Sequence, residues 1–162
     1  PLENIRQPLG AYQLENAKVA HKQTYRISAN WKLVLENYLE CYHCATSHRA
    51  YARAHTLRDL DQKVAHVVSA MLERTEEVTG IEGMGTAYEK VYLDAEGFGT
   101  CVYTSRYGLF DGYWTGSKDG KPLAPLMGDI KGYDGGVGDF QMGPLSFMLN
   151  YPDHCIMYRF LP

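Results

Sequence analysis

The sequence lacks any long apolar run and any strong excess of one charge. Its 162 residues include 16 basic and 19 acidic residues, for a formal net charge of −3. This balance predicts no basic surface for nucleic acid or a lipid headgroup layer. No stretch is apolar over the roughly 20 residues that a membrane-spanning helix needs. With 45% hydrophobic residues, we expect a single globular domain with a real core and no nucleic-acid or membrane partner.

Cysteine is also scarce, with four residues in the chain. Cys41 and Cys44 form a C-x-x-C pair, whereas Cys101 and Cys155 stand alone and far apart. A structural zinc site needs a second pair, and a disulfide framework is typical of small secreted chains that have little core. We therefore interpret Cys41 and Cys44 as small buried hydrophobic residues. A reducing compartment, the cytoplasm, is predicted.

The most informative stretch runs from residue 30 to residue 48 and reads N-W-K-L-V-L-E-N-Y-L-E-C-Y-H-C-A-T-S-H. Asn30 is a favourable N-cap, because its side-chain oxygen can accept a backbone N–H of the first turn. Apolar residues then recur at helical spacing: Trp31, Leu35, Tyr38, Leu39 and Tyr42. This pattern predicts an amphipathic helix.

Polar residues occupy a second face of the same predicted helix. Glu40 lies one turn before His43, so the two side chains share a face. His48 is five residues beyond His43 and would point away from it on a continuous helix. For both imidazoles to meet one atom, the chain must leave the helix near Thr46 and Ser47, whose hydroxyls compete with helix hydrogen bonds.

Two imidazoles and one acid in this arrangement indicate metal chemistry. A divalent iron centre that activates oxygen is typically held by two histidines and one carboxylate, with other positions open. His43 and His48 have a spacing that differs from the i, i+4 pair of zinc protease helices. Glu40 can orient the His43 ring or reach toward an electron source. The alternative is that both histidines are ordinary polar residues that bind no metal.

These residues resemble a known family. N-W-K-x-x-x-E-N-Y-x-E-C-Y-H-C-x-x-x-H is similar to the iron-binding segment of the large subunit of Rieske non-haem iron oxygenases. The resemblance implies that His43 and His48 bind a mononuclear Fe(II). It implies that Glu40 connects this iron to the Rieske cluster of a neighbouring subunit. Most members have aspartate there, and a glutamate is similar to the subgroup that acts on carnitine, choline and glycine betaine.

The resemblance implies further components. A 2Fe-2S Rieske cluster needs two cysteines and two histidines, and no C-x-H with C-x-x-H occurs in this sequence. We therefore expect the cluster domain upstream of Pro1, with residues 1–17 as a linker containing a short helix and residues 18–162 as a partial catalytic domain. A reductase that takes electrons from NAD(P)H and a homotrimeric assembly are implied as partners.

The third iron ligand is expected beyond Pro162. In the family it is a carboxylate on a later helix, and the last two aspartates here, Asp139 and Asp153, do not lie on a predicted helix. Neither is assigned as a ligand. We expect the chain alone to be inactive. His55 and His66 are assigned no metal role either: His55 is predicted at the surface and His66 as a structural residue.

The remaining chain predicts an α+β fold. Strands are predicted over residues 18–28, 63–79, 87–110, 139–150 and 154–161. In the first of these, Val19, Tyr25 and Ile27 are candidate inward residues. A glycine-rich irregular stretch follows at 111–138, with a hairpin turn predicted at Asp119–Gly120. A helix packed on an antiparallel sheet is predicted, and the resemblance implies the helix-grip, START-like fold.

Six aromatic residues are candidates for lining a substrate cavity. A quaternary ammonium has no hydrogen-bond donor, and aromatic faces attract such a cation by about 0.5–2 kcal/mol each. The candidates are Tyr38, Tyr107, Tyr113, Trp114, Phe140 and Phe147. Most aromatic side chains in a domain belong to its core, which is the alternative for each of them.

The predicted function is oxygenation of a small organic substrate, with O2 and cluster-delivered electrons at the iron. For a quaternary ammonium substrate, hydroxylation next to nitrogen gives demethylation or C–N cleavage. Dihydroxylation of an aromatic ring is the sister possibility. Two alternatives lie outside this chemistry: a START-like module that binds a ligand without catalysis, and a zinc hydrolase that uses Glu40, His43 and His48.

Overall fold

The computed structural model describes residues 3–56, 62–85, 88–92 and 101–162. Within these residues, five strands form one antiparallel sheet in sequence order. They are β1 (Tyr88–Tyr92), β2 (Cys101–Gly108), β3 (Gly136–Met142), β4 (Ser146–Asn150) and β5 (Cys155–Arg159). The same residues contain the helices α1 (Glu3–Gly10), α2 (Trp31–Leu39), α3 (Cys44–Ser47), α4 (Arg49–Ala54) and α5 (Gln62–Thr79), and a 3-10 turn at Leu14–Asn16. The predicted α+β class is confirmed.

The two faces of the sheet support separate cores. Side chains alternate along a strand, so Phe140 and Met148, which lie opposite each other on β3 and β4, share one face. They join a buried cluster with residues of α1 and the turn after it, of the segment after α5, and of the irregular stretch between β2 and β3: Ile5, Ala11, Tyr12, Ile81, Met84 and Ile130. The opposite face carries a smaller cluster: Leu109, Val137, Leu149 and Tyr151.

A buried ion pair fastens α5 to the sheet. The carboxylate of Asp134 pairs with the guanidinium of Arg106 on β2, and both side chains are buried. Asp134 also accepts the Thr75 hydroxyl of α5 at 2.8 Å and the Gly136 N–H of β3 at 3.0 Å. One carboxylate therefore joins a helix and two strands.

The prediction of strands over residues 63–79 is wrong, because this segment is most of α5. Its branched residues suggested strands, but the half-buried and buried positions recur every three or four residues: Val64, Val67, Met71, Thr75 and Val78. Such spacing places them on one side of a helix. The helical spacing of the apolar residues was therefore a better guide to the structure than their β-branched content.

The strand predicted over residues 18–28 is also absent. These residues have no regular secondary structure, and Val19, Tyr25 and Ile27 are exposed instead of pointing inward. A strand requires hydrogen-bonded neighbours for its backbone groups, and among the described residues none pairs with this segment. The alternation in the sequence was therefore insufficient to form a strand.

The other strand predictions are confirmed with changed boundaries. The segment 87–110 contains β1 and β2, and residues 86–87 and 93–100 lie outside the described part. The segment 139–150 divides at a turn into the end of β3 and β4, and 154–161 contains β5. Residues 111–135 are irregular, as expected, whereas residues 136–138 belong to β3. The hairpin predicted at Asp119–Gly120 is wrong, because the turn there does not join two paired strands among the described residues.

The short helix expected within residues 1–17 is α1, and the chain around it packs into the first core cluster through Ile5, Ala11 and Tyr12. Among the described residues, no helix has both the length and the apolar character needed to cross a bilayer.

Replacing Asp134 with asparagine leaves the buried Arg106 without its counter-charge. Removal of one partner from a buried pair is expected to lower the free energy of unfolding by about 3–5 kcal/mol. Urea denaturation followed by circular dichroism measures the change. The matched control is Asp129→Asn, at an exposed carboxylate, which should change stability by less than about 0.5 kcal/mol. Equal losses in the two variants would contradict the role given to the pair.

Candidate metal centre

The helix that leads to the candidate ligands starts as predicted and ends early. The Asn30 side chain accepts the Lys32 N–H at 3.0 Å, which confirms the N-cap. The helix α2 then ends at Leu39, and Glu40 is extended, with φ −103° and ψ 147°. The predicted exit near Thr46 is therefore wrong. Residues 41–48 include few strong helix formers, so local propensity does not carry α2 onward.

Each histidine of the motif lies at the start of a short helix. His43 is the N-cap of α3, and His48 is the C-cap of α3 and the N-cap of α4. These two junctions, rather than one continuous helix, turn the rings toward each other. Their centroids are 5.1 Å apart and their planes meet at 72°. The structure therefore brings the two predicted ligands together.

Glu40 orients the ring of His43. Its Oε1 lies 2.7 Å from Nδ1 of His43, and both side chains are largely shielded, with 31% and 19% of their surface exposed. An ionised carboxylate only accepts hydrogen bonds, so Nδ1 carries the proton and, in the neutral ring, Nε2 carries the lone pair. Metal-binding histidines are commonly held in this way by a carboxylate. The donor set fits a divalent metal.

The second carboxylate oxygen of Glu40 differs from the first in its hydrogen bonding. Its Oε2 is buried and has no hydrogen-bond partner among the described residues. A buried carboxylate oxygen normally accepts at least one hydrogen bond. Glu40 therefore keeps one oxygen for a donor other than His43.

No group of three or more histidine, cysteine or acidic side chains within the described ranges is arranged to hold a metal. Asp139 accepts the Tyr107 hydroxyl at 3.1 Å. Asp153 accepts the Thr115 hydroxyl at 2.5 Å and the Leu123 N–H at 2.7 Å. A third ligand beyond Pro162 stays a prediction.

Hydrogen bonds also set the charge of Asp153. Burial raises the pKa of its carboxyl, but the bonds from Thr115, from the Leu123 N–H and from His154 outweigh burial and hold the pKa below its ordinary value. The carboxylate is thereby stabilised in the turn between β4 and β5. It is a structural acceptor in the described fold.

One end of the motif is attached to the sheet by aromatic packing. The ring of Tyr38, near the end of α2, lies 4.3 Å from that of Phe147 on β4. It also lies 5.4 Å from Tyr158 and 5.6 Å from Phe160. Ring contacts at these distances contribute beyond their buried area. They fix α2 just before Glu40.

The other end is attached through His55, which is 3% exposed, so the predicted surface position is wrong. Its Nδ1 donates to the carbonyl of Tyr51 at 2.9 Å, and its Nε2 accepts the Tyr151 hydroxyl at 2.7 Å. Burial lowers the pKa of His55, which agrees with a neutral ring that donates once and accepts once. Nothing in the local sequence marked this role, because Tyr151 is 96 residues away.

Further contacts strengthen this attachment. The Tyr51 ring stacks on His55 at 3.9 Å, and Tyr151 stacks on His154 at 4.6 Å. Beside His55, the Phe110 N–H donates to the carbonyl of Ala54 at 2.9 Å. The end of α4 is therefore held against β2 and the β4–β5 turn, a short distance along the chain after His48.

The two motif cysteines are joined to each other. Cys41 and Cys44 form a disulfide, with Cα atoms 5.1 Å apart, within the usual range for such a bond. The interpretation of both as buried thiols is therefore wrong. The turn that follows α2 brings the two residues together, which the assumption of a continuous helix had hidden. Cys155 is a free thiol.

The six aromatic candidates do not gather around the two histidines. Tyr38 and Phe147 pack against each other at the end of α2. Phe140 lies in the first core cluster, with its ring 6.5 Å from Tyr12. The others are placed elsewhere: Tyr107 and Tyr113 pack against the second cluster, and Trp114 is 58% exposed beside Tyr133.

The remaining histidine of the sequence analysis, His66, is exposed on α5. It lies on a different helix from the two candidate ligands, and a structural role inside the core is excluded by its exposure.

The chain is similar in sequence to subunits of known oxygenases. The glycine betaine monooxygenase oxygenase subunit of Pseudomonas aeruginosa is 35% identical over 162 residues, which are 99% of this chain and 36% of that protein. The corresponding subunit of Chromohalobacter salexigens is 27% identical over 157 residues, 95% of this chain and 34% of its own length. The chain thus spans about a third of these relatives.

A shorter match and a family model complete the comparisons. The carnitine monooxygenase oxygenase subunit of Escherichia coli is 42% identical over 40 residues, 25% of this chain and 11% of that protein. The family description "Ring hydroxylating alpha subunit (catalytic domain)" matches residues 14–162. The chain therefore belongs to the family of ring-hydroxylating oxygenase alpha subunits, within the catalytic domain.

Proposed function

We propose that this chain is the iron-holding part of an oxygenase subunit that hydroxylates a quaternary ammonium compound. The observation that carries the proposal is the arrangement of Glu40, His43 and His48. One imidazole is oriented by a carboxylate through Nδ1, and a second imidazole lies 5.1 Å away. This donor set matches two of the three protein ligands of an oxygen-activating ferrous centre.

Each residue has a distinct role in this proposal. His43 and His48 bind the metal through ring nitrogens, and Glu40 holds the His43 ring in the tautomer that leaves Nε2 free. Iron bound there supplies the one-electron redox chemistry with which dioxygen is activated. The buried Oε2 of Glu40, which has no partner in the described part of the chain, supports a second role, in which Glu40 contacts the group that delivers electrons.

The proposed electron source lies outside this chain. A 2Fe-2S cluster in an upstream domain receives electrons from a reductase that oxidises NAD(P)H, and subunits of a homotrimer place a cluster beside each iron. Membership of the alpha-subunit family supports this arrangement. The third iron ligand is a carboxylate downstream of Pro162.

The substrate class rests on the names of the relatives. Glycine betaine and carnitine, the compounds in those names, both carry a trimethylammonium group. In the proposed reaction, one C–H bond next to nitrogen becomes C–OH, the second oxygen atom leaves as water, and two electrons and two protons are consumed. The resulting N–CH2OH carbon leaves as an aldehyde and the amine is released.

The two histidines are tested by metal content. In the full-length protein, His43→Ala removes the ring that Glu40 orients, so we expect loss of the mononuclear iron. This iron is measured as the iron content in excess of the acid-labile sulfide, which counts the iron of the 2Fe-2S cluster. His66→Ala removes an exposed imidazole of α5 and is the matched control, which should keep that iron. Normal iron excess in His43→Ala would reject the proposed ligand.

Glu40 is tested by an amide that preserves its shape. Glu40→Gln keeps an oxygen that accepts the Nδ1–H of His43, so iron should remain. Loss of the charge should lower product formation by about 10- to 100-fold, the range typical of residues that support a metal ligand. Glu36→Gln, at an exposed position of α2 one turn earlier, should act like wild type. Unchanged turnover in Glu40→Gln would contradict the role.

The substrate class is tested with an uncharged analogue. In 3,3-dimethylbutanoate, carbon replaces the nitrogen of glycine betaine at nearly constant shape. Because the compounds in the relatives' names carry a positive trimethylammonium group, the enzyme should select for that charge. In substrate-dependent oxygen uptake with the reductase, kcat/KM should be about tenfold higher for glycine betaine than for the analogue, which corresponds to about 1.4 kcal/mol. Oxygen uptake with aromatic acids and none with quaternary ammonium compounds would favour ring dihydroxylation instead.

A further inference from the structure

The disulfide of the motif forms a small ring around a candidate metal ligand. Cys41 and Cys44 are three residues apart, so the closed ring contains Tyr42 and His43. Glu40 directly precedes the disulfide ring, and its side chain accepts a hydrogen bond from His43, which lies inside the ring. Cys44 is buried at the start of α3, whereas Cys41 is only half-buried. The bond is therefore part of the candidate centre and partly open to solvent.

We propose that Cys41 and Cys44 are a reversible thiol–disulfide site whose state controls how firmly Glu40 and His43 are held. The site's redox chemistry stands independently of the proposed iron function, whereas its effect on metal binding rests on that function. No metal ligand role is given to either sulfur.

The accessibility of Cys41 and its closeness to Cys44 favour reversible thiol–disulfide exchange at this pair. A cysteine that is attacked or attacks must be accessible to the exchanging thiol, and the half-buried Cys41 meets this condition. Once Cys41 has formed a mixed disulfide, Cys44 is close enough to displace the small thiol. Cys155 is also half-buried, but burial raises the pKa of its thiol to about 11, and the thiol donates to Oδ1 of Asn150 at 3.1 Å. Cys155 therefore serves as a control cysteine within the same chain.

The oxidation step balances with a low-molecular-weight disulfide such as glutathione disulfide. The thiolate of Cys41 attacks one sulfur of the oxidant and releases one glutathione thiolate. The thiolate of Cys44 then attacks Cys41, forms the Cys41–Cys44 bond and releases the second glutathione. Two electrons pass to glutathione, and the two protons lost by the cysteines are taken up by the released thiolates. Glutathione reverses each step.

The consequence for the centre follows from backbone freedom. In the closed ring, the torsions of Tyr42 and His43 are restricted, which keeps the His43 ring near Glu40 and His48. When the ring opens, these torsions are released in a segment of weak helix propensity. The disulfide form should therefore bind Fe(II) more tightly than the dithiol form.

The first experiment follows the thiols in the full-length protein. Samples are equilibrated anaerobically in glutathione buffers of increasing oxidised fraction. Free thiols are then alkylated with one isotopic label, the disulfides are reduced, and the released thiols are alkylated with a second label for mass spectrometry. Cys41 and Cys44 should convert together in a two-electron transition, with Cys155 staying reduced. Free thiols at both positions in the most oxidising buffer, or separate glutathione adducts without an internal bond, would overturn the redox site.

The second experiment measures metal binding after a chelator has removed the mononuclear iron. Fe(II) should bind about tenfold more tightly to the oxidised than to the reduced wild type, at the lower end of the effect of groups that support a ligand. Cys41→Ser should bind like the reduced protein in either buffer, and Cys155→Ser should follow wild type. Equal affinities in all states, or no binding in any, would overturn control of the metal site; absence of binding would also reject the proposed iron function.

Discussion

The candidate centre depends on attachment of one segment to the sheet at both of its ends. Tyr38 packs on Phe147 before the motif, and His55 accepts the Tyr151 hydroxyl after it. Phe147 and Tyr151 belong to β4 and to the turn that follows it. Because both attachments use neighbouring parts of one hairpin, they fix the distance that the intervening chain must span. The two candidate ligands lie within that span, where the chain makes two turns instead of continuing a helix.

Between the two attachments, a hydrogen bond and a disulfide hold the chain where no regular helix continues. The stretch after α2 is held by the hydrogen bond from His43 to Glu40 and by the Cys41–Cys44 bond. The Oε2 atom of Glu40 is buried without a hydrogen-bond partner among the described residues, which would be costly if no donor reached it. Polar atoms that local structure leaves unsatisfied are characteristic of functional sites, where a ligand or partner completes them. The oxygen of Glu40 that lacks a partner among the described residues therefore supports the role proposed for Glu40.

Sequence reasoning succeeded where one segment contained the whole signal. The N-cap at Asn30 is confirmed, and the structure places Glu40, His43 and His48 close together within the same short stretch. Their roles at a metal stay proposals. Sequence reasoning failed where a distant contact decided the outcome. His55 is buried by Tyr151, and residues 18–28 lack a partner strand among the described ranges. For α5, helical spacing was present in the sequence, but β-branched content obscured it.

The most direct measurement is anomalous diffraction at the iron absorption edge from crystals of the full-length protein. The account predicts an iron peak bound by Nε2 of His43 and by the imidazole of His48, with Nδ1 of His43 still donating to Glu40. A peak elsewhere in the subunit with both imidazoles hydrogen-bonded to protein neighbours would contradict it.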